Sequence, residues 1–123
     1  MKIGILLPYK ENFSPEYPGA VSLFVYETSK KSKFKKDIIV FGNTNFKKKF
    51  SLKYVNINLT KSLLTSQTKN YVNRFINLQK KYQFSIIEVH NRPNYIYQLN
   101  DRIPKSIFSL YFHNDPLSMK GSK

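Results

Sequence analysis

The 123-residue chain has no cysteine and no tryptophan, only four glycines, and seven acidic residues against 21 basic ones. Without cysteine there is no disulfide framework, no thiolate nucleophile and no thiolate metal site. Usage of this kind fits a reducing compartment. No apolar run approaches the roughly 18–20 residues that cross a bilayer. The opening "MKIGILLPYK" holds about six apolar residues after its lysine, too few for the core of a secretory signal. The expectation is a soluble protein made in the cytoplasm. No G-x-G-x-x-G, P-loop, Ser-His-Asp arrangement or pair of catalytic carboxylates can be assembled.

Arginine is also scarce. Arg74, Arg92 and Arg102 are the only three, so lysine supplies nearly all of the net charge of +14. A protein built to grip phosphates would use more arginine, whose planar fork binds an oxyanion with two hydrogen bonds. Lysine here accompanies abundant Asn, Ile, Tyr and Phe, all residues of A/T-rich codons. The charge still draws anionic lipid, nucleic acid or phosphorylated ligands, without choosing among them. Nucleic acid is not expected as the primary partner. There is no helix-turn-helix, RNP or zinc-finger pattern, and the aromatics fall on core faces.

What the chain does have is 41% hydrophobic and 15% aromatic residues, enough for one packed core in a single domain spanning 1–123. "KIGILLP" (2–8) and "DIIVFG" (37–42) are unbroken apolar runs of the kind buried on both faces of a parallel sheet. "GAVSLFVYETSKK" places Val21, Phe24, Val25 and Thr28 at helical spacing, with Lys30 and Lys31 at its cation-favouring end. "LKYVNI" (52–57) alternates as a more peripheral strand. The link before it is too short for a crossover helix, which leaves its direction open. Tyr71, Phe75, Leu78 and Tyr82 mark a helix from about Ser66 to Tyr82. "FSIIEVH" (84–90), the short helix "PNYIYQLNDRI" and "SIFSLYFH" (106–113) complete the pattern.

The alternation predicts an α/β fold: a Rossmann-like, doubly wound, mostly parallel sheet of about five strands with helices on both faces. The chain stops at "DPLSMKGSK", where the next helix would begin, and so reads as the front part of a longer protein.

Ligands of such sheets bind outside the carboxyl ends of the strands. Three loops leave those ends: Pro8–Gly19, "HNRPN" after the fourth strand and "HNDPLS" after the fifth. "YPGAVS" enters a helix, so Gly19 and the amides of Ala20, Val21 and Ser22 read either as an anion site or simply as a helix start. The only histidines, His90 and His113, share a His-Asn-x-Pro frame. Each reads as a buried hydrogen-bonding group or as a ligand-facing one. A metal held with Glu88 or Asp115 is not expected, because the spacing matches no closed site.

Together "MKIGILLP", "PGAVSLFVYE", "IIEVHNRPNY" and "LYFHNDPLSMKGSK", in this order, resemble the N-terminal half of group 1 (family 4) retaining glycosyltransferases of GT-B architecture. The resemblance implies a hexosyltransferase whose active site lies between two Rossmann-like domains. The partners it implies are a nucleotide-sugar donor, bound as substrate with no cofactor, and a glycan or lipid-linked acceptor of the cell envelope, such as lipopolysaccharide. By the same resemblance His113 is the catalytic-site histidine facing the donor sugar. Gly19, Ala20, Asn114 and Asp115 fall on the donor side, and His90, Asn91 and Arg92 on the acceptor side. Ala20 departs from the Gly-Gly often found in the family. The family's Glu-x7-Glu motif belongs to a C-terminal domain missing from this chain, so the chain alone is expected to be inactive. The lysines suit peripheral contact with an anionic inner membrane face. The alternative is a non-enzymatic basic α/β module that binds a polyanion or nucleic acid.

Overall fold

The computed structural model describes residues 1–59, 66–103 and 105–113. Five strands form one sheet: β1 (Ile3–Leu6), β2 (Ile38–Gly42), β3 (Tyr54–Asn56), β4 (Ile86–His90) and β5 (Ile107–Tyr111). Their spatial order is β3-β2-β1-β4-β5, and every neighbouring pair is parallel. Among the described residues the helices are α1 (Ala20–Lys30), α2 (Gln67–Gln79) and α3 (Pro93–Asn100), with a 3₁₀ turn at Lys35–Asp37. This is the expected α/β, Rossmann-like arrangement. The chain runs outward from β1 to β2 and β3 on one side, then returns to add β4 and β5 on the other. That reversal makes the carboxyl ends of β1 and β4 the switch point of the sheet.

The direction of β3, open from the sequence, is parallel to β2. The link over residues 43–53 makes this crossover without an α-helix. Phe50 takes a helix's place: it is buried, its amide donates to the Phe13 carbonyl, and its ring packs against Phe13 and Tyr26. Apolar cover over the sheet is what a crossover must supply, and an aromatic loop residue supplies it here.

Strand periodicity divides the core in two. Leu6, Phe41, Ile87 and Val89 face α2 and α3, packing with Tyr71, Val72, Phe75, Ile76, Tyr95 and Leu99. Ile3, Ile5, Leu7, Ile38 and Val40 face α1 through Val21 and Val25. Helix α2 starts where Ser66 accepts a hydrogen bond from the Lys69 amide at 3.1 Å, an N-cap worth about 1 kcal/mol. Tyr71 hydroxyl, fully buried, donates to the Leu7 carbonyl at 2.7 Å and ties α2 to the end of β1. Among the described residues no helix is long and apolar enough to cross a membrane.

The α1 face of the sheet changes character across its width. Under α1 it is apolar. On β4 and β5 the same face carries Glu88, His90, Ser109 and Tyr111, paired Glu88 to Ser109 and His90 to Tyr111. This polar half of the face leads to the strand ends where the functional residues were expected.

Candidate functional site

The site grows from a two-residue repeat. In "IIEVH", Ile87 and Val89 point into the α2–α3 core, so Glu88 and His90 must share the opposite face. Across the ladder Tyr111 lies beside His90, and the two rings stack with centroids 4.9 Å apart and planes at 8°. Two residues further along, His113 returns to the same face. Its Nε2 lies 2.9 Å from Nδ1 of His90, a direct imidazole–imidazole hydrogen bond. On the other edge of the His90 ring, Nε2 lies 3.5 Å from Oε2 of Glu88.

The second histidine is held from two more directions. Its backbone amide donates to Oδ1 of Asn91 at 2.6 Å, while the Asn91 amide donates to the Tyr111 carbonyl at 2.8 Å. Asn91 has φ of 54°, a left-handed conformation that asparagine tolerates better than most residues. From α1, the Phe24 ring meets the His113 ring edge-on at 4.8 Å. Phe24, His90, Glu88 and Tyr111 also border a groove of about 220 Å³ between α1 and the open half of the sheet.

The α1 N-terminus completes the rim. Gly19 is its N-cap and supplies no side-chain cap of its own. The Glu11 carboxylate fills the position, accepting the Ser22 amide at 3.1 Å. It lies so close over Gly19 that a Cβ there would fall 1.6 Å from Oε2 of Glu11. This helix end therefore already holds an anion, drawn from the preceding loop, where the positive end of the helix dipole favours one.

The electrostatics are unusual for so basic a chain. Two of its seven acidic residues, Glu88 and Glu11, converge on the histidines. The His113 pKa lies below the ordinary histidine value, chiefly because partial desolvation of the otherwise exposed ring disfavours the cation. The nearby His90 lowers it further, and Glu11 opposes the shift.

The residues expected at the site are therefore partly assembled and partly re-assigned. His113 is exposed at the rim. Its counterpart differs: His90 is 1% exposed, with its two nitrogens turned to His113 and Glu88, so it supports the rim from beneath and does not line it. Asn91 is likewise buried and bonded within the protein, whereas Arg92 is exposed. Gly19 and Ala20 stand at the α1 N-terminus, where Glu11 accepts the Ser22 amide. Asn114 and Asp115 lie outside the described residues. Among the described residues no cluster of three His, Asp or Glu side chains could hold a metal.

Glu11 went unnoticed in the sequence because its partner amide is 11 residues away and the loop carries no motif. In the sequence Glu88 is singled out only as a metal partner; the signal for its place beside His90 is their i, i+2 spacing on one strand. Comparisons with known protein families, with curated proteins and with solved structures find no match.

Proposed function

We propose that this chain is the N-terminal, acceptor-side domain of a retaining GT-B glycosyltransferase, a hexosyltransferase taking a nucleotide-sugar donor. The observation that carries the reading is the convergence of three strand-end loops around one exposed imidazole. His113 is bonded to His90 at the exit of β4, hung from Asn91, and packed on Phe24 of α1. An imidazole so placed can accept a hydrogen bond from a sugar hydroxyl or donate one to a developing oxyanion.

The α1 N-terminus beside it suits the donor's diphosphate, since it holds a carboxylate in the structure. On this reading the diphosphate displaces Glu11, and Asn114 and Asp115 flank the donor. The acceptor is an envelope glycan or a lipid-linked precursor, approached past Arg92, the exposed residue of the β4 exit loop. The protein works in the cytoplasm, in peripheral contact with an anionic membrane face through its lysines. A second, C-terminal domain supplies most of the donor contacts.

The test is a titration of the ¹⁵N-labelled 123-residue chain with UDP-glucose and GDP-mannose, followed by amide and imidazole shifts. Saturable shifts at Gly19–Ser22 and at His113, with weak affinity, are the expected result. No shift there at millimolar ligand overturns the reading. Shifts produced equally by heparin or tRNA, and abolished by 0.5 M salt, would favour the polyanion-binding module instead.

A further inference from the structure

The order Glu88, His90, His113 runs from a half-buried carboxylate through a buried imidazole to an exposed one. Each neutral imidazole has one N–H and one lone pair, so the chain of contacts restricts where the protons sit. Two arrangements satisfy the 2.9 Å contact between His90 Nδ1 and His113 Nε2. If His90 carries its proton on Nδ1, its Nε2 lone pair faces the Glu88 carboxylate across 3.5 Å, acceptor against acceptor. If instead His90 carries the proton on Nε2, the positive end of that N–H lies 3.5 Å from the carboxylate, an attractive arrangement, and Nδ1 becomes the acceptor for His113.

Burial makes the choice decisive. Among the described residues, Nε2 of His90 is inaccessible to water and makes no hydrogen bond, with the Glu88 carboxylate as its charged neighbour at 3.5 Å, and a buried lone pair opposed to a carboxylate has nothing to relieve it. Among the described residues no lysine or arginine is paired with Glu88, whose one ionic contact there is His90. The second arrangement therefore prevails, and it has a consequence at the surface. His113 must donate from Nε2, which leaves its Nδ1 unprotonated at the exposed rim.

We propose that Glu88 is a positioning residue: acting through His90, it fixes the tautomer of His113 so that Nδ1 presents a lone pair to a ligand hydroxyl. This deepens the transferase reading and rests on it for the identity of the ligand. The tautomer assignment itself rests on the geometry of the three groups. A carboxylate orienting one histidine that orients the next also lets a proton taken up at His113 be shared inward toward Glu88. Among the described residues the other titratable groups facing the pair are Tyr111 from β5 and Glu11 from the loop before α1; α1 itself presents Phe24.

The experiment is long-range ¹H–¹⁵N imidazole spectroscopy of the full 123-residue chain at neutral pH, as wild type, Glu88→Gln and Glu88→Ala. In the wild type both histidines are expected as Nε2–H tautomers, with a slowly exchanging His90 Nε2–H. In Glu88→Gln the side-chain amide can donate to His90 Nε2, so a population with His90 Nδ1–H and His113 Nδ1–H is expected. Glu88→Ala offers neither donor nor acceptor, and the His90 Nε2 proton is expected to exchange faster. Backbone spectra confirm that each variant is folded. A wild-type His90 protonated on Nδ1 overturns the proposal, as do tautomer populations unchanged in both variants.

Binding of UDP-glucose separates this proposal from the reading it rests on. If the wild type binds, Glu88→Gln is expected to weaken binding about fivefold, the effect of one neutral hydrogen bond. If the wild type does not bind while the tautomers shift as described, the relay stands and the transferase reading falls. Binding that Glu88→Gln leaves untouched, with the tautomers shifted, overturns the role assigned to Nδ1.

Discussion

The side-chain oxygen of Asn91 accepts the backbone N–H of His113 at 2.6 Å, so the exit of β5 hangs from the exit of β4. The contact bridges 22 residues and depends on the left-handed backbone at Asn91. The same residue thus turns the chain out of β4 and sets the height of the exposed histidine above the sheet.

Substitutions at Asn91 separate those two tasks. Asn91→Ala removes the acceptor and places an alanine at positive φ, and is expected to cost about 1–3 kcal/mol. Asn91→Gly relieves the backbone but leaves the His113 amide without its partner. Asn91→Asp keeps an acceptor and tolerates the conformation. Urea unfolding should rank stability as wild type, then Asp, with Gly and Ala below. Amide exchange at His113 should accelerate in Gly and Ala only. Equal exchange in all four proteins would mean that the bond does not hold the β5 exit.

Glu11 and Gly19 form a second pair whose coupling is measurable. Glu11→Ala removes the carboxylate from the Ser22 amide at the α1 N-terminus and should cost about 0.5–1 kcal/mol, more at low salt. Gly19→Ala forces the carboxylate away, since the new methyl would overlap it. The two losses are one loss, so the double variant should be less destabilised than the sum of the singles. Additive effects in urea denaturation would show that the carboxylate is not displaced by the methyl.

Much of the fold was legible in the residues because parallel strands buried on both faces leave unbroken apolar runs. "KIGILLP", "DIIVFG" and "FSIIEVH" each became a strand, trimmed at the ends, and the Tyr71–Phe75–Leu78 stripe became α2. The direction of β3 was not legible, because Phe50 covers the crossover from a loop that carries no helical periodicity. At the site, two histidines at strand exits were visible, but not their contact. That contact depends on register: His90 pairs with Tyr111, which brings His113, two residues on, over the same face. Nor could the shared His-Asn-x-Pro frame say which histidine would be buried, since burial comes from α1 and Phe24 packing across the sheet.

The tyrosine core predicts alkaline sensitivity. Burial pushes the Tyr71 hydroxyl well above its ordinary value of 10 and Tyr54 up to about 12, and burial also raises Tyr95. A phenol with a raised folded pKa holds its proton longer in the folded state than in the unfolded one. Its contribution is fully present below pH 10 and is lost as pH rises through the folded value. Tyr71→Phe should cost about 1 kcal/mol at neutral pH, through the lost bond to the Leu7 carbonyl. It should also flatten the decline in stability between pH 10 and 12. A variant that declines as steeply as the wild type would remove Tyr71 as the source.

On the acid side the sign reverses, because the group is a base whose pKa is depressed. Partial desolvation of its ring, and secondarily the neighbouring His90, hold the largely exposed His113 below the ordinary histidine value of 6.5, and Glu11 pulls the other way. As pH falls below 6.5 the unfolded chain takes up a proton at this position before the folded chain does. Stability is therefore present above 6.5, falls as pH drops through the folded pKa, and levels once the folded imidazole is charged. Urea midpoints at pH 7.5, 6.5 and 5.5 should decrease in that order for the wild type and decrease less for His113→Gln. Glu11→Gln removes a contribution that favours the imidazolium, so its His113 should titrate at lower pH than in the wild type, read directly from imidazole shifts. A His113 titration midpoint that stays fixed or rises in Glu11→Gln would show that the carboxylate at the α1 N-terminus does not act on the histidine at the β5 exit.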